Sequence, residues 1–139
     1  MFLLDTNVLS EAAKPSPNPK VLAWLGAVDE DRLFLSAVSI AEIRHGIALL
    51  DDGKKRKQLA VWLEKELLHR FAKKIIPVDE STALAWGDLM GLAKRLGRPL
   101  ATLDGFIAAT ATSKKLTLVT RNKKDFDFLG FPVLNPWDE

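Results

Sequence analysis

The chain reads as an α/β domain with a mainly parallel, twisted sheet of about four or five strands flanked by helices. Three observations predict this. Short, continuously apolar runs of strand length alternate with helical stretches along the whole sequence. Apolar residues make up 47% of 139 residues, which is enough for one packed core and too little chain for two. No repeat, linker or low-complexity segment divides it, so residues 1–139 are expected to form one domain.

Phe2-Leu3-Leu4 is a buried-strand run that stops at Asp5, and Asp5-Thr6-Asn7 opens a helical turn. Pro15, Pro17 and Pro19 break that helix, because proline lacks the amide donor and clashes with the preceding turn. Val21, Leu22, Trp24, Leu25 and Val28 then recur with helical spacing, and residues 32–36 read as the second strand. In the helix expected over 39–50, Ile40, Ile43, Ile47 and Leu50 form one apolar stripe. Ser39 with Glu42 has capping-box spacing, which would start this helix at Ser39. Asp51-Asp52-Gly53 ends it, and another helix is expected over 54–71. Residues 74–78 form the third strand, closed by Pro77. A helix over 79–96 turns Leu84, Trp86, Leu89, Leu92 and Ala93 inward in part, and Gly97 stops it. Thr102-Leu103-Asp104 leads into a helix of small residues, 106–111, suited to burial against a sheet. Residues 116–120 are the fourth strand and 131–134 a short last one.

Composition narrows the function classes. No cysteine is present, which excludes disulfides and thiolate metal sites and suits a reducing compartment. No apolar run approaches the roughly 20 residues that span a bilayer. The opening Met1-Phe2-Leu3-Leu4-Asp5 meets an acid at once and lacks the basic start of a secretory leader. The expectation is a soluble cytoplasmic protein with no membrane partner. Lys and Arg number 20 against 18 acids, and a net charge of +2 does not by itself mark a nucleic-acid binder. Most basic groups, such as Lys54-Lys55-Arg56-Lys57 and Lys114-Lys115, read as solvated helix faces and ends. The group at Arg121, Lys123 and Lys124 differs, because it flanks candidate catalytic acids.

In open parallel sheets, ligands bind outside the carboxyl ends of the strands. Asp5 ends the first strand, and Glu42 lies in the first turn of the helix after the second. Asp104 starts the small-residue helix, and Asp125 follows the fourth strand. Four acids far apart in sequence thus fall where one rim can gather them. Gathered carboxylates raise one another's pKa, a cost that a hard cation such as Mg²⁺ or Mn²⁺ cancels through oxygen ligands. Such ions activate water and stabilise the leaving oxygen of a phosphodiester. Each acid also has a plainer reading. Asp5 and Asp104 serve equally well as helix caps, Glu42 as the partner of Ser39, and Asp125 as an exposed loop acid. Spacing alone does not establish that they converge.

Four fragments in order carry a resemblance. The first is Leu3-Leu4-Asp5-Thr6-Asn7-Val8-Leu9-Ser10-Glu11, and the second is Leu35-Ser36-Ala37-Val38-Ser39-Ile40-Ala41-Glu42-Ile43-Arg44 with Gly46. The third is Asp104-Gly105-Phe106-Ile107-Ala108-Ala109-Thr110-Ala111, and the last is Thr120-Arg121-Asn122-Lys123-Lys124-Asp125-Phe126 with Asn135-Pro136-Trp137. In these the chain resembles, over essentially its whole length, PIN domains of the VapC toxin family, especially the FitB-like branch. The resemblance implies a single PIN-like domain and the toxic component of a type II toxin–antitoxin system. It further implies an Mg²⁺- or Mn²⁺-dependent endoribonuclease that hydrolyses RNA phosphodiesters, with a transfer RNA as the expected target. Asp5, Glu42 and Asp104 would bind the metal. The fourth position falls to Asp125 or Asn122, and Asp125 is the expected fourth acid. Thr6, Asn7, Thr120 and Asn122 would orient carboxylates or water. Arg44, Arg121 and Lys123 would meet RNA phosphates, or else be ordinary surface charge. The implied partners are a small VapB- or FitA-like antitoxin whose C-terminal segment lies over the site, the RNA, and a second copy in a homodimer. The apolar row Val61, Trp62, Leu63, Leu67 and Leu68 reads as core, with an antitoxin groove or dimer face as the alternative. His45 and His69 have neither ligand spacing nor a catalytic partner nearby.

Rival readings make different demands on the residues. A phosphoacceptor receiver domain needs adjacent acids after the first strand and an Asp ending the third; here only Asp5 follows the first, and the third closes on Pro77-Val78. An Asp-x-Asp phosphatase is disfavoured by Asn7 at the second position. A non-catalytic PIN-like nucleic-acid-binding module would be favoured by loss of the acids, which are present. A single-stranded DNA nuclease would use the same acids and metal.

Overall fold

The computed structural model describes residues 1–138. Strand β1 (Phe2–Leu4) runs into helix α1 (Thr6–Ala12), and α2 (Pro19–Ala27) follows the proline-broken loop. Asn18 caps α2 and Pro19 takes its first position, where a fixed φ suits the helix and a missing amide costs nothing. Strand β2 (Leu33–Ser36) passes without a loop into α3 (Ala37–Ala48). The next helical run changes geometry twice, as α4 (Lys54–Val61), a π-helical segment (Trp62–Leu67) and α5 (Leu68–Arg70). Strand β3 (Ile75–Ile76), helices α6 (Glu80–Arg95) and α7 (Thr102–Ser113), and strands β4 (Thr117–Val119) and β5 (Val133–Leu134) follow. Among the described residues no helix is long and apolar enough to cross a membrane.

All strand pairs are parallel, in the order β3-β2-β1-β4-β5. The chain builds outward from β1 to β3 on one side and then crosses to β4 and β5 on the other. Connectivity therefore reverses beside β1, and that reversal opens a crevice over the carboxyl ends of β1 and β4.

Alternate strand residues feed two hydrophobic layers. Leu3 and Leu118 point into one, with Leu89 and Ala93 of α6 and Ile107, Ala108 and Ala111 of α7. Leu4, Leu33, Leu35 and Val119 point into the other, with Val8, Val21, Ile43, Ile47, Leu63 and Leu67. Both faces of the sheet are covered, which is why its strands are continuously apolar.

Four expectations need correction. The helix after β2 begins at Ala37 because the strand feeds straight into it, and Ser36, not Ser39, accepts the capping bond, from Val38 N at 3.0 Å. Ser39 lies inside the helix, buried, and its hydroxyl has no hydrogen-bond partner among the described residues. The run expected as one helix over 54–71 widens in the middle, where the π-helical turn brings Leu63 and Leu67 inward. Leu63 and Leu67 are core as expected, whereas Val61 is 54% exposed. In α6 Leu89 and Ala93 face inward, whereas Leu84 is 67% exposed.

Two contacts lock α6 to α7. At Gly105 a β-carbon would stand 2.5 Å from Met90 Sδ and 2.8 Å from Trp86 Nε1. Trp86 has little room to move, since its indole donates to Thr102 O at 3.1 Å and stacks on Phe106 at 5.1 Å between centroids. At the other end Asp79 caps α6 by accepting from Thr82 N at 3.0 Å, and it meets Lys114 Nζ at 2.5 Å.

Gly105→Ala is expected to destabilise the fold by about 1–3 kcal/mol, the usual cost of forcing extra volume into a packed contact. Urea unfolding measures this, and unchanged stability would mean that the helices do not approach this closely. The Lys114 hydrogen bond, and then that of Thr82 N, hold the Asp79 carboxyl well below its ordinary value of 3.8. A depressed folded-state pKa stabilises above the ordinary value, and that stabilisation is lost as pH falls below it. Asp79→Asn should therefore melt below the wild type at neutral pH, with the gap closing as pH drops under the ordinary carboxylate range. An equal gap at both pH values would refute the assignment.

Candidate active site

A cavity of about 380 Å³ lies at the crevice, and four carboxylates line it, those of Asp5, Glu11, Glu42 and Asp104. Asp5 directly follows β1, and its backbone N donates to Val119 O at 2.9 Å, which prolongs the β1–β4 ladder to the rim. Its side chain is 6% exposed. Oδ1 accepts from Thr6 N at 2.7 Å and Oδ2 from Thr120 Oγ1 at 2.8 Å. Asp5 therefore does cap α1, and it also lines the cavity. Burial pushes its carboxyl up; the Thr120 and Thr6 hydrogen bonds partly oppose this, and the negative charge of Glu42 adds to it.

Glu42 lies in the second turn of α3 and accepts from Thr6 Oγ1 at 3.0 Å. With Ser36 as the cap, the capping-box role for Glu42 is gone. Asp104 lies in the first turn of α7, where Ala101 is the N-cap and no side chain caps the helix. The carboxylate of Asp104 has no hydrogen-bond or ion-pair partner among the described residues, so the capping reading fails here too. Burial raises its pKa, and the charges of Asp5 and Asp125 raise it further. The positive end of α7 favours the ionised form.

The fourth position divides between two residues. Asn122 lines the cavity. Asp125 sits outside the wall, exposed, in a 3₁₀ turn (Lys123–Asp125), close enough for its charge to act on Asp104. Thr120 Oγ1 is the hub of the polar wall. It donates to Asp5 and accepts from Asn7 Nδ2 at 3.2 Å and Asn122 N at 3.1 Å. Arg121 N donates to Asn7 Oδ1 at 3.3 Å. Thr6, Asn7, Thr120 and Asn122 are thus all gathered around the acids.

The basic candidates separate. Arg121 lines the cavity. Lys123 is exposed in the adjoining turn and is not on the wall. Arg44 faces a second groove of about 250 Å³ between α3 and α4, and its guanidinium pairs with Glu64 at 2.5 Å. Its expected place beside the acids is therefore not where the structure puts it.

Sequence reasoning assigned no role to Glu11, Lys14 or Trp137, which also line the cavity. Glu11 is 6% exposed, and both its oxygens are used, Oε1 by Lys14 Nζ at 2.9 Å and Oε2 by Asn18 N at 2.9 Å. The Lys14 bond, foremost, keeps its carboxyl below the ordinary range. The four-residue spacing of Asn7 and Glu11, one face of a helix, was the available signal.

None of Asp5, Glu42 and Asp104 has an ion pair to Lys or Arg among the described residues. Three carboxylates thus share a cavity without pairing to the Lys14 and Arg121 side chains that also line it. Their donor atoms are all oxygen, the set that hard divalent ions take. Among the described residues no three Asp, Glu or His side chains already stand in a coordination shell, so the acids share a cavity rather than a point. In chemistry and charge the set fits a divalent cation.

Known proteins are similar to this chain in sequence and fold. The chain is 43% identical to Toxin FitB of Neisseria gonorrhoeae over 139 residues, all of both chains. It is 39% identical to VapC ribonuclease Y4jK of Sinorhizobium fredii, over 99% of each. The crystal structure of FitAcB from Neisseria gonorrhoeae superposes with a TM-score of 0.93 at 43% identity, covering 100% of both chains. The family model described as PIN domain matches residues 2–131. By these matches in sequence and fold, the chain belongs to the PIN-domain family.

Proposed function

We propose that this protein is the toxin of a toxin–antitoxin pair and acts as an endoribonuclease, with Asp5, Glu42 and Asp104 holding Mg²⁺ or Mn²⁺. The observation that carries the reading is the cavity in which these three carboxylates stand without ion pairs. Its end-to-end likeness to Toxin FitB and to a VapC ribonuclease supports it. Asn122, on the wall, and Asp125, just outside it, complete the site, the first through its amide and the second through its charge.

When bound, the ion supplies the charge that activates a water and stabilises the leaving oxygen of the phosphodiester. The chain's own residues prepare for that. Thr120 and Thr6 hold Asp5 in one rotamer, and Thr6 Oγ1 turns Glu42 toward the same cavity. Asp104 stays free of partners, so its oxygens are uncommitted. Arg121, and Lys123 in the next turn, bring positive charge to the side where an RNA backbone would lie. Arg44 is left out of this role by Glu64.

The same reading places a VapB- or FitA-like antitoxin over the cavity, and a second copy of the chain in a homodimer. FitAcB, a solved relative, supports the antitoxin partner. Both hydrophobic layers belong to one sheet, which supports the reading of the chain as one domain, and a sequence without cysteine suits the cytoplasm.

Purified antitoxin-free protein should cut labelled total cellular RNA at discrete sites with Mn²⁺ or Mg²⁺, and not with EDTA. Asp5→Asn or Asp104→Asn should slow cleavage about 100-fold or more, the scale on which one charge-stabilising group is felt. Folded variants that cut at the wild-type rate would remove these residues from the site. Thr120→Val should weaken Mn²⁺ binding or activity by about 10–100-fold, as for other groups that orient a metal ligand. In cells, expression without the antitoxin should arrest growth and Asp5→Asn should relieve it; full growth with soluble wild-type protein would count against the toxin role.

A further inference from the structure

The segment around Asn135 and Trp137 walls the cavity, yet the reaction proposed above assigns it no part. It is tied down by three hydrogen bonds in series. Trp137 N donates to Asn135 Oδ1 at 2.9 Å, Asn135 Nδ2 donates to Arg121 O at 3.2 Å, and Arg121 N donates to Asn7 Oδ1 at 3.3 Å. Asn7 continues the series through Thr120 to Asp5. The Trp137 indole rests on the hydrophobic layer below and carries the Arg121 guanidinium above it, 5.3 Å from the ring centroid.

This contact has a consequence. The attraction of a cation for an aromatic face holds the arginine without engaging a conventional hydrogen-bond acceptor. Arg121 makes no side-chain hydrogen bond or ion pair among the described residues, whereas Arg44, Arg70 and Arg98 commit their N–H groups to Glu64, Glu30 and Lys124 O. Glu11, on the same cavity wall, attracts Arg121 by its charge but makes no hydrogen bond or ion pair with it among the described residues; its oxygens accept from Lys14 and Asn18 N. An arginine held over an indole beside an acidic cavity, with no acceptor among the described residues, suits a two-donor grip on a phosphate.

We infer that Trp137 is a positioning residue that holds Arg121 to grip an RNA phosphate at the cavity. The inference rests on the ribonuclease reading and deepens it. An arginine already fixed on the indole loses less rotamer freedom on gripping a phosphate than a free one does. Trp137 thus acts on substrate binding, through Arg121, and not on the bond-breaking step.

The test is steady-state cleavage of a fluorescein-labelled single-stranded RNA 12-mer with Mn²⁺ by the wild type, Trp137→Ala, Trp137→Phe, Arg121→Ala and the Trp137→Ala/Arg121→Ala double variant. Trp137→Ala should raise KM about tenfold, the scale of one charge-assisted phosphate contact, and leave kcat within about threefold. Trp137→Phe, which keeps an aromatic face, should recover most of the loss. Arg121→Ala should raise KM equally and lower the salt slope of binding by about 0.7, the value for one phosphate on a single strand. The double variant should be no worse than Arg121→Ala. Wild-type KM in Trp137→Ala, or losses that add in the double variant, would overturn the inference. Should Trp137→Ala not fold, the cycle of Trp137→Leu, which keeps apolar bulk but removes the aromatic face, with Arg121→Ala decides in the same way. Failure of the ribonuclease reading would look different, because the wild type itself would leave the RNA uncut. Polarisation of the same labelled RNA then reads the coupling between Trp137 and Arg121 as affinity, and its absence overturns the inference.

Discussion

β1 and β4 pair in parallel from Phe2↔Thr117 to Leu4↔Val119, and the site exists only because of that register. It sets Asp5 beside Thr120, so that two residues 115 apart in sequence share a hydrogen bond of 2.8 Å. A slip of one residue would turn Leu3 and Leu4 to the wrong layers and carry Asp5 out of reach of Thr120. The bond is buried, where weak screening strengthens it and makes its loss costly. Thr120 then passes the alignment on, through Asn7 and the backbone of Asn122, to the rest of the wall. The chemistry of the cavity is thus fixed by strand pairing in the middle of the sheet, well before any loop contributes.

The same arrangement works against folding. Burial and mutual repulsion raise Asp5 and Asp104, so keeping both ionised at neutral pH opposes the folded state. Two apolar layers with residues such as Leu3, Val8, Leu35 and Leu118 at 0% exposure offset this cost. Such tension between a strained polar site and a well-packed frame is common where function sets the site's charge. By the same reasoning the proposed divalent cation would stabilise the whole domain, because it would bind the folded chain and relieve the repulsion.

Much of this was legible in the sequence because it is written in local pattern. Continuous apolar runs marked β1, β2 and β4, and periodic ones marked α3 and α6. Asp5, Glu42 and Asp104 could be placed at strand or helix ends, where a parallel sheet collects ligands. What stayed hidden depends on contacts across the fold. Ser39 looked like a cap because the pattern cannot show that β2 feeds directly into α3. Arg44 sits two residues from Glu42 and still faces another groove, since successive helical residues point about 100° apart. Asn122 and Asp125, three residues apart, differ in whether they reach the cavity, and only the turn that carries them decides it. Trp137 was invisible as a site residue because its only acidic neighbours in sequence, Asp138 and Glu139, belong to no site pattern; its neighbours at the cavity lie at Asn7 and Arg121.

The outermost strands are the shortest, with β3 and β5 spanning two residues each. A parallel sheet with long open borders would invite another extended chain to continue it, and such borders seed aggregation. Here each border offers only a couple of backbone groups, so intermolecular strand addition gains little. A polypeptide partner therefore has to be received on helical and loop surfaces through side-chain contacts, and specificity rests on shape and charge rather than on generic backbone pairing. For a protein with the proposed toxin role, this favours release and recapture of one matched partner over indiscriminate self-association.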